Sequence, residues 1–405
     1  LREETITFFL MRSSIHGYLK LIRQTFFGTR GTFARLTPKR FVVMTAFLPP
    51  FLLLQAVHWI GFFLDDLFFR GYQRVAVKKP LFVVGVPRSG TTFLHRILAK
   101  DSERFTTPML WELIFAPSVT ERRVALALGR ADQSLGRPIG RLIDALQERF
   151  FAPLDSIHRV RLQDPEEDYF ALLPVLACFL LVLPFPASKK IWRLSRFDDQ
   201  VPEDERRRIA AFYRSIAQRH LYVRGPNKQL LSKNPSFTPM VKTLAETFPD
   251  ACFVACIRNP IEATASELSA MSEGMRSFGN DLRGTEFYER LAAVMVHYYR
   301  HLILELPRRN GENHIFVSLE VMKNDIEKTI KNIYRRFDWP MSSRLCTALP
   351  AAAQKSNSYR SRHRYCLEQF HLSAGEIALQ LKDIFQRFGY PLPRGKEWDA
   401  SQRHP

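Results

Sequence analysis

Arg88, Ser89, Thr91 and Thr92 crowd one short turn and offer an anion one cation and three hydroxyls. The apolar run from Leu81 to Val86 predicts a buried strand before that turn, and Phe93 to Leu98 predicts a helix after it. A ligand at the turn then meets unpaired N–H groups and the positive end of a helix dipole, which suits phosphate or sulfate. Gly85 and Gly90, with four residues between them, match the glycine half of a phosphate-binding P-loop, but Thr91-Thr92 stand where Lys-Ser/Thr should follow. That lysine ordinarily reaches the β- and γ-phosphates beside a bound Mg²⁺. With Arg88 inside the loop as the cation, the stretch suits an anion held without the Mg–nucleotide arrangement. A bare structural turn is the bland alternative.

From Lys79 onward, strand and helix patterns alternate, which predicts an α/β fold with a mainly parallel sheet. Strands are expected at Leu81 to Val86, Phe105 to Thr107, Gln229 to Ser232, Ala251 to Ile257 and His314 to Leu319. Helices are expected over Phe93 to Lys100, Arg122 to Phe151, Phe237 to Phe248, Asn259 to Met271, Val321 to Phe337 and Ser373 to Phe388. Asp164-Pro165-Glu166-Glu167 reads as the N-cap, first-turn proline and N3 glutamate of another helix. It runs into Leu172 to Phe185, which is either buried core or the wall of an apolar acceptor pocket. Ligands of such sheets sit beyond the carboxyl ends of the strands, and right-handed crossovers return every strand to the same edge. Arg88, Glu112, Lys233 and Arg258 therefore converge on one crevice.

The string Pro87-Arg88-Ser89-Gly90-Thr91-Thr92 resembles the phosphosulfate-binding loop of sulfotransferases. Leu231-Ser232-Lys233-Asn234-Pro235, Phe248 to Val254, Arg258-Asn259-Pro260 and Ser266 follow in the order seen in that family. The nearest resemblance is to the bacterial-type branch, and in the loop also to protein-tyrosine sulfotransferases. It extends over roughly Lys79 to Tyr390. It implies a P-loop-like three-layer fold and 3′-phosphoadenosine 5′-phosphosulfate (PAPS) as co-substrate. Arg88, Ser89, Gly90, Thr91 and Thr92 would hold the phosphosulfate, and Arg258 with Ser266 the 3′-phosphate. Lys355 to Phe370, with Tyr359, His363 and Tyr365, is similar to a segment that closes over the nucleotide. Asn234 stands where Ser is common, which puts one ligand contact in doubt.

Sulfuryl transfer is an in-line displacement in which positioning and electrostatics carry catalysis. Arg88 and Lys233 are the expected charge stabilisers. Glu112, 24 residues past Arg88, is the expected base. His95, His158 and the Glu166/Glu167 pair are its rivals: loop support, no named partner and helix capping are their respective bland roles. No metal-spaced set stands out, and no metal is expected.

Lys and Arg total 59 against 40 Asp and Glu, a net +19 that suits anionic ligands or surfaces. The charge is dispersed, with no nucleic-acid motif, so no nucleic-acid partner is expected. Five cysteines form no metal or disulfide pattern and fit a reducing compartment as buried thiols. No secretory signal stands out, and the first residue, Leu1, leaves the true start open.

Residues 1–78 read as a helical, apolar region and 79–405 as the catalytic domain. Thr5 to Phe27 mixes apolar and basic residues. Phe41 to Leu64 has no charged residue over 24 positions, long enough to span a bilayer. Pro49-Pro50 argues against a plain spanning helix. A broken helical pair packed on the domain, a membrane-surface hairpin and a transmembrane helix are the three alternatives. The expected acceptor is a small-molecule or lipid hydroxyl, and the expected location cytoplasmic, peripheral to a membrane. A P-loop kinase or NTPase, and a non-enzymatic membrane-peripheral anion binder, are the competing functions.

Overall fold

The computed structural model describes residues 3–151, 161–358 and 366–393. Five strands form one parallel sheet: β1 (Leu81–Gly85), β2 (Phe105–Thr106), β3 (Gln229–Lys233), β4 (Cys252–Ile257) and β5 (His314–Ser318). Their order is β2-β3-β1-β4-β5. The chain leaves β1 for one edge, returns through β3, and crosses to β4 on the other side. That reversal opens a crevice beyond the carboxyl end of β1.

Side chains of β1 alternate between two cores, as a central strand requires. Phe82 and Val84 enter one, Leu81 and Val83 the other. Phe82 stacks on Phe253 of β4 with ring centroids 5.3 Å apart. Burying a side chain of this size contributes roughly 2–3 kcal/mol. Helices cover both faces, among them α3 (Thr91–Leu98), and give the expected three layers.

The run Leu172 to Phe185 is core: Leu172, Leu176, Leu181 and Val182 are almost wholly buried. It forms short 3₁₀ turns, Asp168–Val175 and Phe179–Val182, instead of the α-helix expected from Asp164-Pro165. Pro165 pairs with Met109 in an antiparallel bridge, which holds this segment extended. Of the cysteines, Cys178, Cys252 and Cys256 are buried, whereas Cys346 and Cys366 are exposed.

The N-terminal region is a pair of helices, α1 (Glu3–Phe27) and α2 (Pro38–Phe68). Pro49 and Pro50 do not break α2. They and residues 45 and 46, whose carbonyls lose their helical donors, all lie on the exposed side, where water can satisfy those carbonyls. By length and composition α2 is the one described helix that could cross a membrane. It lies along the domain instead. At its start the buried Arg40 donates to Asn280 Oδ1 (2.6 Å) and the Pro184 carbonyl (2.8 Å). At its end Asp65 accepts from the Val119 N–H and from Arg219 Nε, each at 2.8 Å. Leu10, Met44 and Phe62 belong to the same core cluster as Phe82 and Phe253, so residues 1–78 and the sheet share one core. After β2 come α4 (Leu110–Phe115), α5 (Val119–Ser134) and α6 (Pro138–Phe151).

Candidate active site

The loop after β1 is shaped by residues in left-handed backbone conformations. Gly85 has φ +143°, and a Cβ there would lie 2.2 Å from the Cys256 carbonyl, so only glycine allows β1 to meet β4 this closely. Gly90 has φ +85° and precedes α3, whose first turn carries no side-chain cap. Uncapped N–H groups at a helix start suit an anion. Arg88 itself is left-handed, φ +65°, which turns its side chain out of the loop. Thr91 is buried and Thr92 half-buried at the start of α3. Ser89 points the other way: its buried hydroxyl donates to the Val86 carbonyl at 2.6 Å. It pins the turn, and only its backbone N–H remains for a ligand, a correction to its expected hydroxyl role.

Arg88 Nε donates to Ser266 Oγ at 3.1 Å. Arg258, just past β4, donates to the Arg88 carbonyl at 3.3 Å and pairs with Glu262 at 2.8 Å. Asn259 caps the helix Pro260–Ser277 through the Ile261 N–H, which fixes where Ser266 stands. Loop, Arg258 and Ser266 thus form one cationic and hydroxylic corner.

Lys233 ends β3, opposite Val83 of β1, and its ammonium is wholly buried. It lies 3.0 Å from both Glu166 Oε1 and Glu167 Oε1. Burial pulls its pKa down, but the two carboxylates outweigh burial and raise it. Glu167 keeps 23% of its side chain exposed against 5% for Glu166. Neither acts as the helix N3 residue foreseen from Asp164-Pro165. A buried lysine at a strand end is the feature that could have pointed to them, since it demands carboxylate partners. Glu267, half-buried next to Ser266, is pushed up to about 7, chiefly by burial, with Arg88 opposing and Glu167 adding to the shift. Asp168 is also pushed up to about 7 by burial, and accepts from the Tyr213 and Ser232 hydroxyls.

Glu112 is held among arginines. Its carboxylate is 1% exposed, with Oε1 accepting from Arg224 Nε at 2.7 Å and Oε2 from the Met109 N–H at 2.9 Å. Arg122 lies 4.0 Å from it. Burial raises its pKa, but Arg122 and Arg224 with the other contacts outweigh burial and lower it. A carboxylate with both oxygens engaged and its pKa depressed is a poor proton acceptor, so the geometry speaks against Glu112 as base. His95 is buried, held neutral with a pKa lowered to about 3, and bound to Thr107 Oγ1 at 2.7 Å. His158, Tyr359, His363 and Tyr365 lie outside the described residues.

One group of ligand-type side chains escaped the sequence reading: Asp199, His297 and His301 have donor atoms within 4.8 Å of one another. His301 Nε2 is 3.0 Å from Asp198 Oδ2, which also accepts from the Lys242 N–H. Asp198, through His301 and Lys242, ties the helices Glu286–Asn310 and Val241–Thr247 together.

Residues 80–343 match the profile of the sulfotransferase family. The chain belongs to that family. It is 27% identical over 203 residues to omega-hydroxy-beta-dihydromenaquinone-9 sulfotransferase Stf3 of Mycobacterium bovis and of Mycobacterium tuberculosis. That match covers 46% of this chain and 44% of the relative, so the chain spans less than half the length of those curated relatives. Among solved structures, sulfotransferase STF1 of Mycobacterium tuberculosis aligns over 92% of both chains with a TM-score of 0.66 and 20% identity. Sulfotransferase STF9 of Mycobacterium avium aligns over 79% of both, with a TM-score of 0.62 and 19% identity. These likenesses carry the fold: a parallel α/β sheet with its loop at the carboxyl end of β1, as the alternation of elements predicts.

Proposed function

We propose that this chain transfers the sulfuryl group of PAPS to a hydroxyl acceptor. The observation that carries the proposal is the corner at the β1 switch point, where Arg88, Ser266 and Arg258 meet the uncapped start of α3. In this reading the N–H groups of residues 88–92, with Thr91 and Thr92, hold the phosphosulfate, and Arg258 and Ser266 grip the 3′-phosphate through charge-assisted bonds. Lys233 spends two of its three N–H donors on Glu166 and Glu167, which leaves one for the transferred group or its leaving phosphate.

The reaction is one displacement. An S–O bond forms to the acceptor as the S–O bond to the 5′-phosphate breaks, yielding a sulfate ester and 3′,5′-ADP (PAP). Glu167 takes the acceptor proton, because its carboxylate is partly exposed and borders the lysine that faces the reacting group. Arg88 and Lys233 stabilise the charge as it moves, and no step calls for a metal. The curated relatives are named for a hydroxylated menaquinone. That name and the apolar surface of this chain support a lipid alcohol as acceptor. The reaction then belongs at the cytoplasmic face of a membrane.

Calorimetry with PAP in the presence of a chelator tests the donor site. Binding should persist without metal and weaken about 10- to 100-fold in Arg258→Ala. Binding of Mg–ATP in preference to PAP would instead support the kinase alternative, and binding of neither the non-enzymatic one. Transfer of labelled sulfate from PAPS to a lipid extract identifies the acceptor class.

A further inference from the structure

The face of α2 turned away from the domain is apolar over most of its length. Val42, Leu53, Val57, Ile60, Phe63 and Leu67 are 43–68% exposed and follow helical spacing. From Val42 to Leu67 the stripe runs about 38 Å at 1.5 Å per residue. A helix on the surface of a soluble domain ordinarily carries its polar residues there, and this one has no charge from Phe41 to Leu64. An exposed apolar strip of this length marks an interaction surface.

The charge around it selects the partner. Between Thr5 and Leu64 there is no Asp or Glu, and six Lys/Arg are exposed: Arg12, Lys20, Arg23, Arg30, Arg35 and Lys39. The nearest acids following the stripe are turned to the protein: Asp65 and Asp66 pair with Arg219 at 2.8 and 3.1 Å. An apolar face whose border is mainly cationic, with Arg35 paired to Asp281 at 3.1 Å, is the composition of a helix lying in a lipid interface. A second copy fits badly, because a symmetric pairing would set the same cations against one another. The fastening of both ends of α2 to the domain, through Arg40 and Asp65, favours a helix lying on a membrane over one crossing it.

We propose that the outer face of the α1–α2 hairpin seats the protein on an anionic lipid leaflet, with α2 lying flat in the interface. α5, packed on α2 through the 2.6 Å contact of His58 with Glu121, adds exposed Val124 and Leu128. Three residues separate α5 from α4, whose preceding residue, Met109, pairs with Pro165 beside Glu166. Along the chain, α4 thus links α5, packed beside α2, to the segment that carries Glu166 and Glu167. The proposal deepens the lipid-acceptor reading, but its readout needs neither donor nor turnover, so the two fail separately.

Vesicle flotation of the full chain tests it, using phosphatidylcholine vesicles with and without phosphatidylglycerol, at low and high salt. The wild type should float with the anionic vesicles, with a partition about tenfold lower for neutral ones or at high salt. The triple variant Leu53→Glu, Ile60→Glu, Phe63→Glu should lose binding about tenfold or more while keeping its melting temperature and PAP affinity. Should it misfold, Ile60→Ser with Phe63→Ser serves instead. Arg12→Gln, Lys20→Gln and Arg23→Gln together should weaken binding to anionic vesicles only. A wild type that stays in solution, or a triple variant that floats like it, overturns the proposal. So does a stable dimer that the triple variant breaks, which would give the face to a second copy.

Discussion

A general base must be ionised, within reach of the acceptor and free to take a proton. Glu167, partly exposed and with Oε1 on Lys233, is the proposed base; Glu112, buried with both oxygens engaged, is not, although both are acids close to Arg or Lys. Glu167→Gln should lower turnover about 10²- to 10⁴-fold with PAP affinity unchanged, whereas Glu112→Gln should act on stability. Removing the charge from a buried pair costs about 3 kcal/mol, so Glu112→Gln should melt several degrees lower. The pH dependence has a defined sign. Glu112 lies below its ordinary value of 4.5 in the folded protein. Its contribution is therefore complete above that value and lost as pH falls through the lower folded one. Acid unfolding of wild type and Glu112→Gln should converge there, as followed by circular dichroism. Normal turnover in Glu167→Gln would move the base to another group, Glu166 first. The sequence offers this pair only as a rival to Glu112, with helix capping as its bland role, because Asp164-Pro165 before it imitates a helix start and because its partner Lys233 is 66 and 67 residues away.

At the scale of elements, the helix Pro260–Ser277 is a positioning device. Asn259 Oδ1 accepts from the Ile261 and Glu262 N–H groups at 3.0 and 3.4 Å, so the first turn is anchored one residue from Arg258. Ser266, two turns on, inherits that placement. Asn259→Ala should cost about 1 kcal/mol of stability and weaken PAP binding about fivefold through displaced Ser266, while Asn259→Asp retains both. Thermal melts and calorimetry on the two variants check this; equal PAP affinity in Asn259→Ala would free Ser266 from the cap. Elements of this kind were readable in advance. The apolar runs of β1 and β4, the Asn259-Pro260 cap and the glycines at 85 and 90 each carry their own local physics. Together they placed Arg88, Lys233, Arg258 and Ser266 at one sheet edge. What depends on tertiary partners was not readable. Ser89 turns inward to Val86, Glu112 is claimed by Arg122 and Arg224, and residues 164–175 are held off the helix by Met109.

For the whole molecule the question is whether the N-terminal hairpin is an appendage or part of the folding unit. Asp65 decides it. Its two oxygens accept from the Val119 and Thr120 N–H groups, each at 2.8 Å, the Thr120 hydroxyl at 2.7 Å and Arg219 Nε at 2.8 Å. One buried carboxylate thus caps α5 and neutralises a guanidinium on the helix Glu203–Arg224, which packs toward the sheet. Asp65→Ala leaves Arg219 buried with Asp66 as its remaining acid, at a cost of about 3–5 kcal/mol. Because α1 and α2 share the core with β1, that loss should appear as one shifted transition, with the fluorescence and circular dichroism curves in urea superimposed. Two separated transitions, with PAP binding retained after the first, would make the hairpin an independent unit docked on the catalytic domain. A single shifted transition would mean that the surface assigned to lipid and the crevice assigned to PAPS rest on the same folded core.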